Sequence, residues 1–364
     1  MPASLRSIVL CSSILMASQG EGRGQDFPTL TPSARVQTDP VPTEGDAADD
    51  PAIWIHPVDP ARSLVLGTDK KGGLHSYSLD GHARQLVSPG SRPNNVDILY
   101  GFPIDGVKVD LAVASVGKGG NTAGVKLWRI DQSDGTMAEF AEGPTFRTFD
   151  CGDPYGLCTY LSPRDGSAYL FVSDRDGAIE QYRLDPPASP TQPPRATRVR
   201  AFRVGSQVEG IVTDRVLGKL FVAEENVGIW EYGAEPGDGA ARKAVATVGE
   251  HGLTADVEGL ALYYAPGGKG YLLASSQGSS TVNAYERSGA HAYVATIDPI
   301  AGATDDVAHT DGLDVTNERT SALFPRGVLV LQDGENDGRQ NFKLFAWEDV
   351  AGHKLIVDTT ISAR

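Results

Sequence analysis

Acidic residues recur at two kinds of place along this chain, each time beside an apolar run. The first is where a run begins: Asp49 and Asp50 ahead of Ile53-Trp54-Ile55, Asp97 in the segment Asn94-Asn95-Val96-Asp97, Asp153 ahead of Tyr155, Glu209, Asp256 with Glu258, and Asp311. The second is where the next run ends: Asp174-Arg175-Asp176, Glu224-Glu225-Asn226, and Asp333-Gly334-Glu335-Asn336-Asp337. Carboxylates and amide oxygens without His or Cys are hard ligands. They suit Ca²⁺, which takes about six to eight oxygens, better than zinc or copper. Basic residues hold the same positions in other segments: Lys70-Lys71, Lys118 and Arg175. A site that combines bound cations with Lys and Arg would receive a polyanionic small molecule such as a phosphate ester. Any one of these residues, taken singly, reads equally well as a turn cap. The recurrence is what points to a site.

The recurrence comes from a repeat. Segments 155–184, 208–232, 257–287 and 311–347 share one plan: a glycine near the start, an apolar strand, a turn, a second apolar strand ending in small or polar residues, and a third strand. Looser copies lie at 49–79 and 94–130, which makes six. Gly156, Gly210, Gly259 and Gly312 are spaced by 54, 49 and 53 residues. A period near 50 built of short strands marks a β-propeller. Room for a fourth strand lies between copies, for example at 198–204. The expected fold is therefore all-β, a six-bladed propeller of four-stranded antiparallel blades around a central channel. Residues 34–37 are placed to pair with the last blade and close the ring, which removes unpaired strand edges. The Pro-rich stretch 185–194 is expected as a surface loop. In such a fold the first strands line the channel. Their starts and the ends of the second strands then share one mouth.

Bulk properties agree with a secreted β-rich protein. Of 364 residues, 40% are hydrophobic, enough for a large core, and 42 Gly with 23 Pro suit many turns. A formal net charge of −15 excludes a nucleic-acid or anionic-membrane partner. Residues 1–20 carry Arg6 ahead of an apolar stretch at 8–17, a signal-peptide pattern too short to span a bilayer. This predicts a secreted or periplasmic protein, acting as a monomer, with residues 21–364 as a single domain. Cys151 and Cys158 lie seven apart, and two readings stand for them, a local disulfide or two free thiols.

The segments Asp46-Ala47-Ala48-Asp49-Asp50-Pro51-Ala52-Ile53-Trp54 and Asn94-Asn95-Val96-Asp97-Ile98-Leu99-Tyr100 closely resemble the paired signatures of the β-propeller phytases, alkaline calcium-dependent phytate hydrolases. The likeness continues through KKGGLHSYSLDG, SQVEG, VAEEN, LLASSQG, TDGLDV and QDGEN, and covers nearly all of the chain after Gln37. It implies several calcium ions at one mouth and two neighbouring phosphate sites, at one of which hydrolysis occurs. By motif match the calcium ligands would be Asp49, Asp50, Glu209, Glu225, Asp256, Glu258, Gln277, Asp305, Asp333, Glu335 and Asn336. Tyr155, Lys70, Arg175 and Asp311 would fall in the phosphate-binding region. The chain departs from the family at Gln37, where an acidic residue is common, and at Gly117-Lys118, where relatives carry an Arg. Lys118 can replace its charge but not its bidentate contact.

The chemistry so implied is hydrolysis of a phosphomonoester by direct attack of a metal-bound water, with no phosphoenzyme. Glu209 would orient the water, with Asp305, Asp311 and Tyr155 as further catalytic candidates. Lys70, Arg175 and Lys118 would hold phosphate oxygens. The substrate expected is phytate as its calcium complex, attacked in the manner of a 3-phytase. The sequence has no RHG triplet, which excludes a phosphohistidine route. His56 and His75 read as packing or capping residues, and His309 as the one histidine near the acidic cluster. The alternatives are a calcium-dependent propeller lactonase or organophosphate hydrolase, and a propeller that binds without turnover.

Overall fold

The computed structural model describes residues 27–117, 123–148 and 151–362. The signal-peptide reading of residues 1–20 and the side chain of Lys118 fall outside the described residues. Six antiparallel sheets follow one another along the chain. Blade one is Ala48–Trp54, Leu64–Asp69, Gly73–Ser78 and Ala83–Val87; blade two is Pro93–Ile104, Val107–Val116, Gly124–Ile130 and Met137–Glu139. Blade three is Pro154–Leu161, Ala168–Asp174, Ala178–Asp185 and Arg195–Arg203, with the Pro-rich stretch looping between its third and fourth strands. Blade four is Val208–Asp214, Lys219–Glu224, Gly228–Gly233 and Arg242–Thr247; blade five is Val257–Tyr264, Gly270–Ser276, Thr281–Glu286 and Tyr293–Ile297. Blade six takes three strands from the C-terminal end, Leu313–Thr316, Val328–Asp333 and Asn341–Ala346. Its fourth is Val36–Gln37, antiparallel to Asn341–Ala346, so the two ends of the chain clasp one blade. A further strand, Thr29–Leu30, adds in parallel to the outer edge of blade five, which sequence reasoning did not anticipate.

The first strand of each blade packs against the first strand of the next, and together they form the wall of the channel. Each blade buries both faces, which is why its strands read as apolar runs rather than a clean alternation. The apolar side chains separate into six clusters, one in each gap between neighbouring blades. Trp54, Leu66, Ala112 and Trp128 fill the gap between blades one and two; Val65, Tyr77, Val330 and Phe342 fill the gap between blades six and one. Cys151 and Cys158 are both buried and form no disulfide. Of the two readings, the pair of thiols is the one that holds.

Candidate metal and phosphate site at the channel mouth

One local irregularity, repeated blade by blade, builds the mouth. Pairing between the first and second strands skips two residues between Ala48 and Pro51, Pro93 and Val96, Pro154 and Leu157, Val208 and Ile211, and Val257 and Leu260. A bulge of this kind bends the strand and re-aims its side chains. The skipped residues are Asp49-Asp50, Asn94-Asn95, Tyr155-Gly156, Glu209-Gly210 and Glu258-Gly259. In blade six Asp311-Gly312 hold the same place, just ahead of Leu313.

Glycine fills the second position in four blades because the next blade's backbone lies against it. A Cβ at Gly156 would overlap the carbonyl of Glu209, and one at Gly210 the carbonyl of Glu258; at Gly312 it would overlap Asp50. Backbone bonds tie these strands across blades, from Gly259 N to Asp311 O at 3.0 Å and from Gly312 N to Asp49 O at 3.1 Å. The first positions of the five bulges, with Asp311 at the same place in blade six, thus belong to one ring: Asp49, Asn94, Tyr155, Glu209, Glu258 and Asp311. Asn94 is the member that sequence reasoning passed over. Its signal was the repeat register itself, which sets it level with Glu209.

Glu209 sits at the centre of this ring. Its Oε1 accepts from Asn94 Nδ2 at 2.5 Å, and Tyr155 lies close enough for the Glu209 charge to raise its phenol. Glu225, from the turn after the second strand of blade four, joins Glu209 and Glu258 so that one carboxylate oxygen from each lies within 4.8 Å of the others. All three are buried. Lys70 bridges the far side, with Nζ 2.8 Å from Asp46, 3.1 Å from Asp49 and 3.3 Å from Asp311. Gln277 Nε2 donates to Asp311. The Arg175 guanidinium stacks 3.7 Å over the Tyr155 ring and lies 3.5 Å from Asp153. Asp46, although exposed, is an ion-pair partner of Lys70.

The electrostatics are those of a frustrated acidic cage. Burial pushes the Asp49 carboxyl well above the usual range, against the pull of Lys70. Burial and then the Glu209 charge do the same to Glu258, and the same two causes push Glu225 up to about 7. Burial, opposed by Lys70, raises Asp311. Burial would lower the Lys70 ammonium, but Asp49, Asp311 and Glu209 overcome it and raise it. The Tyr155 phenol is held far above its ordinary value by burial and Glu209. Asp49 Oδ2, Glu225 Oε1 and Glu258 Oε2 are buried with no hydrogen-bond partner. Buried anionic oxygens without donors are a heavy penalty unless a cation satisfies them. The donor set is all oxygen, so Asp49, Glu209, Glu225 and Glu258 fit a hard divalent cation such as calcium.

The remaining predicted ligands divide. Asp256 lies close enough for its charge to raise Glu225. Asp50 turns away from the ring; its Oδ2 accepts from Val96 N at 2.9 Å and it lines the channel below. Asp305, Asp333 and Asn336 gather instead at the clasp of blade six. There the fully buried Lys343 ammonium lies among them, bonded to Asp305, 3.2 Å from Asp333 Oδ2, 3.5 Å from Asn336 Oδ1 and 2.9 Å from Gln37 Oε1. An oxygen cage with an ammonium at its centre does not fit a further cation in this arrangement. Sequence reasoning missed Lys343 because a Lys on a third strand reads as solvent-facing. Lys343→Met should leave Asp333 buried without a countercharge and destabilise the protein by about 3 kcal/mol. Thermal unfolding checks this, and an unchanged midpoint would dismiss the cage as incidental. Asp305 is accordingly placed with the clasp rather than with Glu209. Glu335 is exposed, with Oε1 3.6 Å from His309 Nε2.

Other acidic residues cap turns or hold the scaffold. Asp97 lies inside the channel rather than at its mouth, accepting from Thr159 N and Oγ1 at 2.7 and 2.8 Å. Asp174 Oδ1 accepts from Asp176 N and Ala178 N, and Glu224 accepts from Ser206 and Trp230. His56 caps its own turn through Nδ1, and His75 is buried.

Comparison with known proteins gives one family. The phytase family model matches residues 3–364. A curated relative, the 3-phytase of Bacillus subtilis strain 168, is 40% identical over 329 residues, covering 88% of this chain and 85% of the relative. Among solved structures, a chain of the mitotic checkpoint complex covers 99% of this chain and 90% of its own length at 13% identity, with a TM-score of 0.46, a likeness too weak to bear on function. A repeat-built mouth of carboxylates beside Lys70 and Arg175, and a family match along nearly the whole length, lead to one conclusion: the chain belongs to the phytase family.

Proposed function

We propose that the chain releases phosphate from phytate at this mouth, with calcium held by Asp49, Glu209, Glu225 and Glu258. The observation that carries the reading is the buried triad Glu209–Glu225–Glu258, with unpartnered oxygens, set directly beside Lys70, Arg175 and Tyr155. Calcium, when bound, neutralises phosphate charge and makes a water more acidic. The chain's own groups do the rest. Lys70 and Arg175 hold non-bridging phosphate oxygens. Asp49 and Asp311 keep Lys70 in place. Asn94 fixes the Glu209 carboxylate through a hydrogen bond to it, with Tyr155 alongside, so that it is oriented toward the attacking water. Such positioning and pre-set charge are the main levers for phosphoryl transfer.

A calcium-dependent propeller acting on lactones or phosphotriesters is separated by substrate. The expected result is inorganic phosphate released from phytate, with no turnover of a lactone or a phosphotriester. Turnover of either of those, with phytate untouched, would overturn the reading.

A further inference from the structure

The face opposite the carboxylate mouth carries a gathering of the other sign. First strands begin at the mouth, so the turns joining third to fourth strands lie at the far end of each blade. There, between blades four and five, is a hollow of about 230 Å³. Lys219, Lys243, Arg287 and Ser288 line it, with Glu231 and His291 on its wall. The chain as a whole has a net charge of −15, so three cations about one hollow run against its general balance.

Part of this set is committed to the scaffold. Lys219 Nζ lies 2.8 Å from Glu231 Oε1. His291 sits between Glu231 Oε2, 2.5 Å from its Nε2, and the carbonyl of Glu286, 2.9 Å from its Nδ1. These contacts tie blade four to blade five and fix one wall of the hollow. Lys243 differs. Its Nζ donates to Gly289 O at 2.9 Å and meets no carboxylate among the described residues. The Ser288 hydroxyl makes no hydrogen bond among them.

Arg287 adds a second, independent sign. It is 1% exposed, with its guanidinium 4.4 Å over the Tyr264 ring. Its Nε is 3.4 Å from Asp214 Oδ2, close enough for an ion pair, yet Nε and Nη1 have no hydrogen-bond partner. A buried guanidinium with unmet donors is costly, and an anion close by lowers that cost. Even with Asp214 counted, positive side chains outnumber carboxylates around the hollow.

We propose that this hollow binds a single tetrahedral oxyanion, inorganic phosphate, held by Lys243 and Ser288 in the field of Arg287, and that the bound ion bridges blades four and five. Ammonium, hydroxyl and guanidinium are the donors such an ion takes. The site does not depend on calcium or on the phytate reading; charge, donors and size carry it.

The test uses the full chain with calcium removed by chelator, so that no metal at the mouth draws phosphate. Isothermal titration with sodium phosphate, and thermal melting in phosphate against sodium chloride of equal ionic strength, read the binding. One phosphate per chain is expected, with a melting temperature raised by about 2 °C at ten times the Kd. Lys243→Met should weaken phosphate binding about tenfold and Ser288→Ala about threefold. Both variants leave the Asp214–Arg287 pair intact. Lys70→Met and Arg175→Met, at the mouth, should leave phosphate binding to the metal-free chain unchanged. Chloride acting as well as phosphate, or no binding at all, would overturn the site. Binding lost in the mouth variants and kept in Lys243→Met would overturn it too, since the phosphate would then sit at the mouth.

Discussion

Glu209→Gln is expected to reduce phosphate release from phytate by about a thousandfold, while raising the melting temperature of the metal-free protein. Both signs follow from one position in the ring. The carboxylate is the shared neighbour of Glu225, Glu258, Asp49 and Asp311, and its charge raises each of them. Gln keeps the shape and retains an acceptor for Asn94, so the strand and its bulge have no reason to move. It removes the negative charge that would hold calcium and orient the water. It also removes the repulsion that the folded chain carries without metal. A variant that loses activity and stability together would mean that Glu209 is structural. A variant that keeps near-normal activity would remove its role.

The second large effect concerns pH and metal. Glu225 is pushed from an ordinary 4.5 up to about 7, and Asp49 and Glu258 are also raised. A carboxyl with a raised folded value binds its proton more tightly when folded. Its penalty is absent below about pH 4.5 and grows as pH rises toward 7, because the unfolded chain ionises first. The metal-free protein should therefore lose stability across that window, by on the order of 5–10 °C in melting temperature. Calcium binds the ionised cage and only in the folded state. At about one hundred times its Kd it should contribute about 2.7 kcal/mol. The rescue should be large at pH 7.5 and small at pH 4.5. Differential scanning calorimetry with and without chelator gives the result. An equal calcium shift at both pH values would contradict an ionised cage as the binding site.

The propeller was legible because its glycines recur. They recur because each must let the next blade's backbone approach, a steric demand that leaves no other residue possible at Gly156, Gly210 and Gly312. The clasp was legible from the last apolar run needing a partner, and Val36–Gln37 supplies it. Depth along the strand was not. Asp97 and Asn94 are three residues apart, and only the bulge decides that Asn94 faces the ring while Asp97 bonds to Thr159 inside the channel. Asp49 and Asp50 look equivalent in the sequence, yet successive strand residues point apart, so one joins the ring and the other holds Val96. Turn carboxylates were overcounted for a similar reason: Asp174 and Glu224 have the composition of ligands, but nearby backbone N–H groups claim them. Lys343 was invisible because nothing local says that a strand lysine will be enclosed by oxygens, one of them from Gln37 at the far end of the chain.

The central claim is that the mouth carboxylates work through calcium on a phosphate ester. The most direct measurement is phosphate release from phytate by protein stripped with a chelator, followed by calcium addition. The account predicts near-zero release after stripping and full recovery as calcium is restored. Release that proceeds at an unchanged rate in the presence of chelator would contradict it.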